Sequence, residues 1–287
     1  MSHDISQVAK KLTAQSIKGF YNPFTHIQFP EKIDMNSWFV SPELISIFGS
    51  PEWEALGEEQ RKKLSFFEAI NFYSLNVHGE KSLLEGLTRR LYESENQDVT
   101  DYIHHFIDEE NKHMYFFGTF CEKYAGKIYP DRKLVFPREY APGEEEFLFF
   151  IKVFVFEEIV DYYNVTTARD TRVEELSRAI NSNHHEDEVR HLAFGRVILN
   201  DLFKTHSPQW SAETLNGVRD YIRGYYITTW REYYNPDIYV DVGIEDAYDL
   251  ASNVFESEKA KAHRAKASRA SINYLVKCGI LEETFEL

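Results

Sequence analysis

Cysteine is nearly absent from this 287-residue chain: Cys121 and Cys278 are the only two. They are too few for a disulfide framework and stand in neither a C-x-x-C nor a zinc-finger spacing. Positive charge is also scarce. With 32 Lys and Arg against 47 Asp and Glu, the formal net charge is −15, which disfavours nucleic acid and anionic membrane surfaces as partners, since both require basic patches. Long apolar runs are missing too. The most apolar stretch, Phe147 to Val160, is interrupted by Lys152, Glu157 and Glu158 and is too short to span a bilayer; it suits a central helix buried on nearly all sides. Residues 1–12 carry no apolar core of signal-peptide type, so the cytoplasm is the expected location. Nothing resembles a linker or a low-complexity tract, and one domain over residues 1–287, with its core at about 60–205, is expected.

What the chain has is helical periodicity almost throughout. A short amphipathic stretch opens it and gives way to an irregular, aromatic-rich segment broken by Pro23 and Pro30. Ser41-Pro42 and Ser50-Pro51 each have the form of a cap followed by proline at the first helical position. Long helices are then expected over about 60–92, from beyond the polar turn at Glu93–Asp98 to near Gly126, over about 144–168 and about 172–205, with two more at roughly 211–234 and 244–277. The connection from Lys127 to Gly143, with Pro130, Pro137 and Pro142, is long for a helix joint and suited to crossing a bundle. No strand-like alternation competes. The fold class is all-α.

Within those helices a pattern occurs twice. Glu80 precedes Glu110-Asn111-Lys112-His113 by about thirty residues, and Glu157 or its neighbour Glu158 precedes Glu188-Val189-Arg190-His191 at a similar distance. About thirty residues is one long helix, a turn and part of the way back, so each lone Glu comes level with the Glu-x-x-His of an antiparallel partner. Two such hairpins would enclose four carboxylates and two imidazoles, the donor set of a dinuclear iron or manganese site in a bundle. A single Glu-x-x-His carries no weight in so acidic a chain. Two copies at matched distances, among apolar neighbours, weigh against ordinary solvated acids and histidines.

The chemistry needs these residue types. Four ionised carboxylates neutralise two divalent ions, which makes burial tolerable, and ligands three apart project from one helix face at one metal. Glu109 and Asp187, directly before each motif, could hydrogen-bond the free ring nitrogen of a ligating His; the alternative is two solvated acids. His184 shares a face with Glu188 and His191, whereas His185 faces elsewhere. On spacing alone, His184 is either a third imidazole donor or a packing histidine.

Further residues give the chain a recognisable likeness. From about Asn22 to Leu202 it resembles the p-aminobenzoate N-oxygenase family, the AurF-type non-haem diiron oxygenases. The likeness runs through Ser41-Pro42-Glu43, Phe48-Gly49-Ser50, Trp53, Glu59-Gln60-Arg61 and Phe67-Glu68-Ala69, with a ligand-type acid at Glu80. It continues in Glu109-Glu110-x-x-His113, Phe156-Glu157-Glu158-Ile159-Val160-Asp161 and His184-x-x-x-Glu188-x-Arg190-His191. The resemblance implies a ferritin-like bundle with extra N- and C-terminal helices. It also implies metal ligation by Glu80, Glu110, His113, Glu157, His184, Glu188 and His191, preferring Glu80 to Glu68 and Glu157 to Glu158. Two irons per chain, with manganese left open, would use O2 as co-substrate to oxidise a small molecule, an aryl amine by analogy with the family. An external electron donor would then be needed, and a homodimer is compatible. The many Tyr and Phe residues would serve as core or as the wall of a pocket for a flat ring. Two other readings remain: the same site acting on an aliphatic substrate as a hydroxylase, desaturase or oxidase, and a non-enzymatic iron-binding bundle.

Overall fold

The structure, a computed structural model, describes residues 3–93, 96–132 and 138–287. Among them the chain is all-α; the sole β feature is an isolated bridge between Trp38 and Val173. The helices are α1 (His3–Gly19), α2 (Pro23–His26), α3 (Pro51–Ala55), α4 (Glu58–Arg90), α5 (Thr100–Phe120), α6 (Glu144–Arg169), α7 (Glu175–His206), α8 (Ala212–Tyr233), α9 (Pro236–Val242), α10 (Ala247–Phe255) and α11 (Glu258–Lys277). Pro137, in the expected crossing connection, and two residues of the polar turn before α5 lie outside the described residues.

The four long helices, α4 to α7, form a ferritin-like bundle. α4 packs on α5 and α6 on α7, and the two hairpins meet through α4 against α6 and α5 against α7. Their ends follow local chemistry. α4 opens with Glu58 and Glu59 and closes with Arg89 and Arg90, each charge opposing the local helix dipole. The Glu174 carboxylate caps α7 by accepting from the Ser177 N–H at 3.0 Å. α5 ends in a π-turn, Cys121–Ala125, closed by Gly126 in the left-handed conformation (φ +65°).

A close approach between α4 and α6 depends on two glycines. A Cβ on Gly79 would collide with the Phe156 ring, and one on Gly86 would collide with Phe149. Gly79 directly precedes Glu80 and Phe156 directly precedes Glu157. The contact that seats a large ring on a glycine therefore sets the separation of two helices that each carry a buried acid.

Around this core α1 lies against α5 and α7, α8 against α6 and α4, α9 against α4, and α11 against α6. Three expectations change here. The opening amphipathic stretch is a full 17-residue helix with Ile5, Ala9 and Leu12 buried. Ser41 makes no cap: its hydroxyl donates to the Thr166 carbonyl at 3.3 Å and only a 3-10 turn follows, whereas Ser50 does cap, accepting from Trp53 N–H at 3.2 Å. The helix expected over 244–277 is two helices, because Ser257 is extended and its hydroxyl accepts from the Ala260 N–H at 3.2 Å to start α11. α9, started by Pro236 after the Asn235 cap, was not anticipated.

Candidate metal centre

Glu80 comes from α4, Glu110 and His113 from α5, Glu157 from α6, and His184, Glu188 and His191 from α7, all at most 2 % exposed. Their donor atoms fall into three overlapping groups: Glu80, Glu110, His113 and His184; Glu110, Glu188 and His191; and Glu157, His184 and Glu188. Within each group the atoms lie within 4.8 Å of one another. Glu110, Glu188 and His184 each belong to two groups, whereas Glu80 and Glu157 each belong to one.

The neighbouring acids lie elsewhere. Glu158 pairs with Arg196, and Glu68 accepts hydrogen bonds from the backbone N–H and hydroxyl of Ser46. His185 turns away and meets Asp161 at 2.6 Å.

The imidazoles of His113 and His191 are each held from behind by an acid of the opposite helix. His113 Nε2 lies 3.0 Å from Asp187 Oδ2, and His191 Nε2 lies 2.8 Å from Glu109 Oε2. With Nε2–H donated outward, Nδ1 of each ring faces the cluster: His113 Nδ1 is 2.9 Å from Glu110 Oε2, and His191 Nδ1 is 2.9 Å from Glu188 Oε1. Arg190 ties the two acids together, donating to Glu109 Oε1 at 2.6 Å and to Asp187 Oδ1. The Tyr21 hydroxyl adds a further hydrogen bond to Asp187 Oδ2 at 2.9 Å, from a segment far away in sequence. Phe106 stacks on His191 with centroids 4.0 Å apart, and Phe117 presents an edge to His184 at 5.0 Å.

His184 is oriented by Asn164, whose carboxamide meets its Nδ1 at 2.9 Å. The amide oxygen of Asn164 is otherwise buried without a partner. The amide orientation in which that oxygen accepts Nδ1–H satisfies it and leaves the Nε2 lone pair for the cluster. His184 Nε2 lies 3.1 Å from Glu188 Oε1 and 3.5 Å from Glu80 Oε1, in neither case with hydrogen-bond geometry.

The electrostatics of the pocket favour a bound cation. Both oxygens of Glu80 and of Glu157 are buried and unbonded, as are Glu110 Oε1 and Glu188 Oε2. Burial, then repulsion from neighbouring carboxylates, pushes Glu80 and Glu157 well above the usual carboxylate range. Burial acts the same way on Glu110 and Glu188, but His191 outweighs it with help from the other imidazoles, bringing Glu110 down to about 2 and Glu188 well below its ordinary value. Burial disfavours the His113 cation, yet hydrogen bonds to Asp187 and Glu110 raise it to about 9. So many orphaned carboxylate oxygens cost several kcal/mol or more unless a cation neutralises them. Hard oxygen donors mixed with imidazoles suit a divalent first-row metal. The residues present fit such a group.

Arg190 and Tyr21 are the residues bonded to the acids Glu109 and Asp187 that sequence reasoning left without a role. A signal for Arg190 existed, since a base precedes the His of each motif, but the two bases differ in use. Lys112 pairs with Asp108 at 2.5 Å and lies over the Tyr21 ring, 4.6 Å from its centroid. No local signal marks Tyr21.

Compared with known proteins, residues 2–279 match the model of a family described as P-aminobenzoate N-oxygenase AurF, a longer stretch than the motifs alone indicated. No curated protein matches the chain. No helix among the described residues is long and apolar enough to cross a membrane. With its bundle, its buried Glu/His cluster and nearly all its length inside the match, the protein belongs to the AurF p-aminobenzoate N-oxygenase family and is an oxygenase of that family.

Proposed function

We propose that the chain binds two irons and uses them with O2 to oxygenate the nitrogen of an aryl amine. The observation that carries this reading is the convergence, from four helices, of buried carboxylate oxygens with no hydrogen-bond partner. Glu80, Glu110, His113, Glu157, His184, Glu188 and His191 would hold the two ions, and Glu110, His184 and Glu188 each belong to two of the three donor groups.

When bound, two ferrous ions supply the electrons that reduce O2 and the place where oxygen passes to substrate. The chain does the rest. Asp187 and Glu109 fix the ring orientation of His113 and His191, and Arg190 holds both acids in place. Phe106 and Phe117 cover the imidazoles and keep their surroundings apolar, which strengthens every charge interaction inside. A small-molecule substrate and an external electron donor are the partners this reading requires.

Iron-loaded protein given labelled O2, a reductant and a panel of aryl amines should return the amine's hydroxylamine, nitroso or nitro product carrying the label. Labelled product from aliphatic substrates alone would replace the reading with a hydroxylase. Ferric mineral with no organic product would replace it with iron storage.

A further inference from the structure

Three oxidisable side chains stand in mutual contact beyond the metal centre. The rings of Tyr163 and Tyr233 have centroids 4.9 Å apart, and Trp230 lies 5.1 Å from Tyr233 and 6.2 Å from Tyr163. All three are at most 6 % exposed. Packing alone asks only for apolar rings here, and phenylalanine would fill the space of each tyrosine without burying a hydroxyl. Yet the Tyr233 hydroxyl is buried with no hydrogen-bond partner, and the Tyr163 hydroxyl meets His263 Nε2 at 3.1 Å. Burial, then Lys266 and Arg264, lowers His263 to about 4, so its imidazole is neutral and Nε2 accepts the Tyr163 proton.

The cluster is connected on both sides. Inward, Tyr163 stacks on Phe72 at 5.5 Å, Phe72 meets Phe117 at 6.4 Å, and Phe117 presents its edge to His184 at 5.0 Å. The residue after Tyr163, Asn164, holds that same histidine. Outward, Tyr163, Tyr233 and His263 line a cleft of about 490 Å³ between the segment 43–51, the end of α8 and the start of α11, room enough for a small molecule. Rings in contact pass an electron readily, but a phenol gives one up only where its proton has a base to go to. Of the two phenols, Tyr163 alone has a neutral nitrogen base in hydrogen-bond contact.

We infer that Tyr163 and His263 form a redox pair that gives an electron to the metal centre when O2 has oxidised it with no substrate bound, sparing the surrounding chain from oxidation. The step balances on named atoms. One electron passes from the Tyr163 ring by way of Phe72, Phe117 and His184 to the oxidised metal centre. The hydroxyl proton moves to His263 Nε2, leaving a neutral tyrosyl radical beside an imidazolium. A small enediol reductant in the cleft, present as its monoanion, then returns one electron to Tyr163 and releases one proton to solvent. The proton on His263 Nε2 goes back to the phenol oxygen. The inference rests on the proposed function in one respect: O2 reacting at the metal centre is the source of the oxidant.

The test is freeze-quench EPR of the full-length, iron-loaded and reduced protein mixed with O2 in the absence of substrate, made with ordinary and with ring-deuterated tyrosine. An organic radical signal that narrows with the label is expected, and ascorbate, the probe reductant, should shorten its lifetime severalfold. Tyr163→Phe should lower the signal at least about tenfold and His263→Leu about fivefold, because Tyr233 has no proton acceptor with which to replace the pair. Tyr248→Phe, at an exposed tyrosine outside the cluster, should leave it unchanged. No tyrosyl signal in the wild type, a signal indifferent to ascorbate, or one that survives Tyr163→Phe would overturn the proposal. Product analysis on the same protein separates this from the oxygenation itself. Oxygenated amine with no tyrosyl signal would leave the reaction standing and remove the redox pair. A Tyr163 signal with no oxygenated amine would do the reverse.

Discussion

Asp187 of α7 accepts the His113 Nε2–H from α5 at 3.0 Å, and Glu109 of α5 accepts the His191 Nε2–H from α7 at 2.8 Å. The two Glu-x-x-His motifs are therefore laced: the acid that orients each ligand-type histidine belongs to the other motif. Arg190 closes the lacing by holding both acids. Neither helix can present its histidine correctly alone.

Loosening the lacing should loosen the metal. Asp187→Asn and Glu109→Gln keep shape but weaken the acceptor, and each should lower iron affinity about tenfold or more. Arg190→Gln should do so at both positions, since it removes the guanidinium that the two buried acids share. Tyr21→Phe removes only one hydrogen bond to Asp187 and should speed iron loss to a chelator by less than Asp187→Asn does. Equal iron retention in all four variants would show that the lacing is structural only.

His184→Ala should retain most of its iron, because six other donors remain, and should lose oxygen transfer. Asn164→Ala should move in the same direction more weakly, since Asn164 only orients that ring. His185→Ala, whose ring pairs with Asp161 outside the cluster, should resemble wild type. Product yield and iron content measured side by side decide this. If His184→Ala and His185→Ala behave alike, His184 is a packing residue.

Gly79→Ala tests the approach of α4 to α6. The helix-propensity gain of about 1 kcal/mol is opposed by the collision of the new methyl with the Phe156 ring, an overpacking that costs about 1–3 kcal/mol. Separating the helices would also part Glu80 from Glu157. A lower melting temperature with reduced iron affinity is expected; unchanged values for both would mean that the ring moves aside freely.

Much of this was legible in the sequence because it is periodic. The matched distances from Glu80 to Glu110 and from Glu157 to Glu188 follow from helix rise alone, and so does the pairing of α4 with α5 and α6 with α7. What was not legible depends on contacts between distant segments. Nothing near Tyr21 indicates that its hydroxyl reaches Asp187, and Gly79 signals nothing until Phe156 is seen against it. Sequence position offered Glu109 and Asp187 as partners of the histidines, with solvated acids as the alternative, and could not say that they cross over, since that depends on how α5 faces α7. The break between α10 and α11 was missed because the amphipathic pattern continues through Ser257, whose capping role overrides it.

Glu68 offers a pH test away from the metal. Burial raises its carboxyl from 4.5 to about 7, against hydrogen bonds from Ser46 that favour the charged form. The folded protein thus keeps a proton that the unfolded chain gives up. The resulting stability is complete below pH 4.5 and is lost as pH rises through about 7. At about 1.4 kcal/mol per pKa unit, the ceiling is about 3 kcal/mol. Glu68→Gln should melt near the wild-type temperature at pH 5 and above it at pH 8. A difference that does not grow with pH would contradict the assignment.

The central claim is that this cluster is a two-iron site. Its most direct test is the iron content of protein titrated anaerobically with Fe(II) and freed of excess metal. About two irons per chain in wild type are predicted, with a clear loss in Glu110→Ala, which removes a donor common to two of the donor groups. One iron or none in wild type, or a content that Glu110→Ala leaves unchanged, would contradict it.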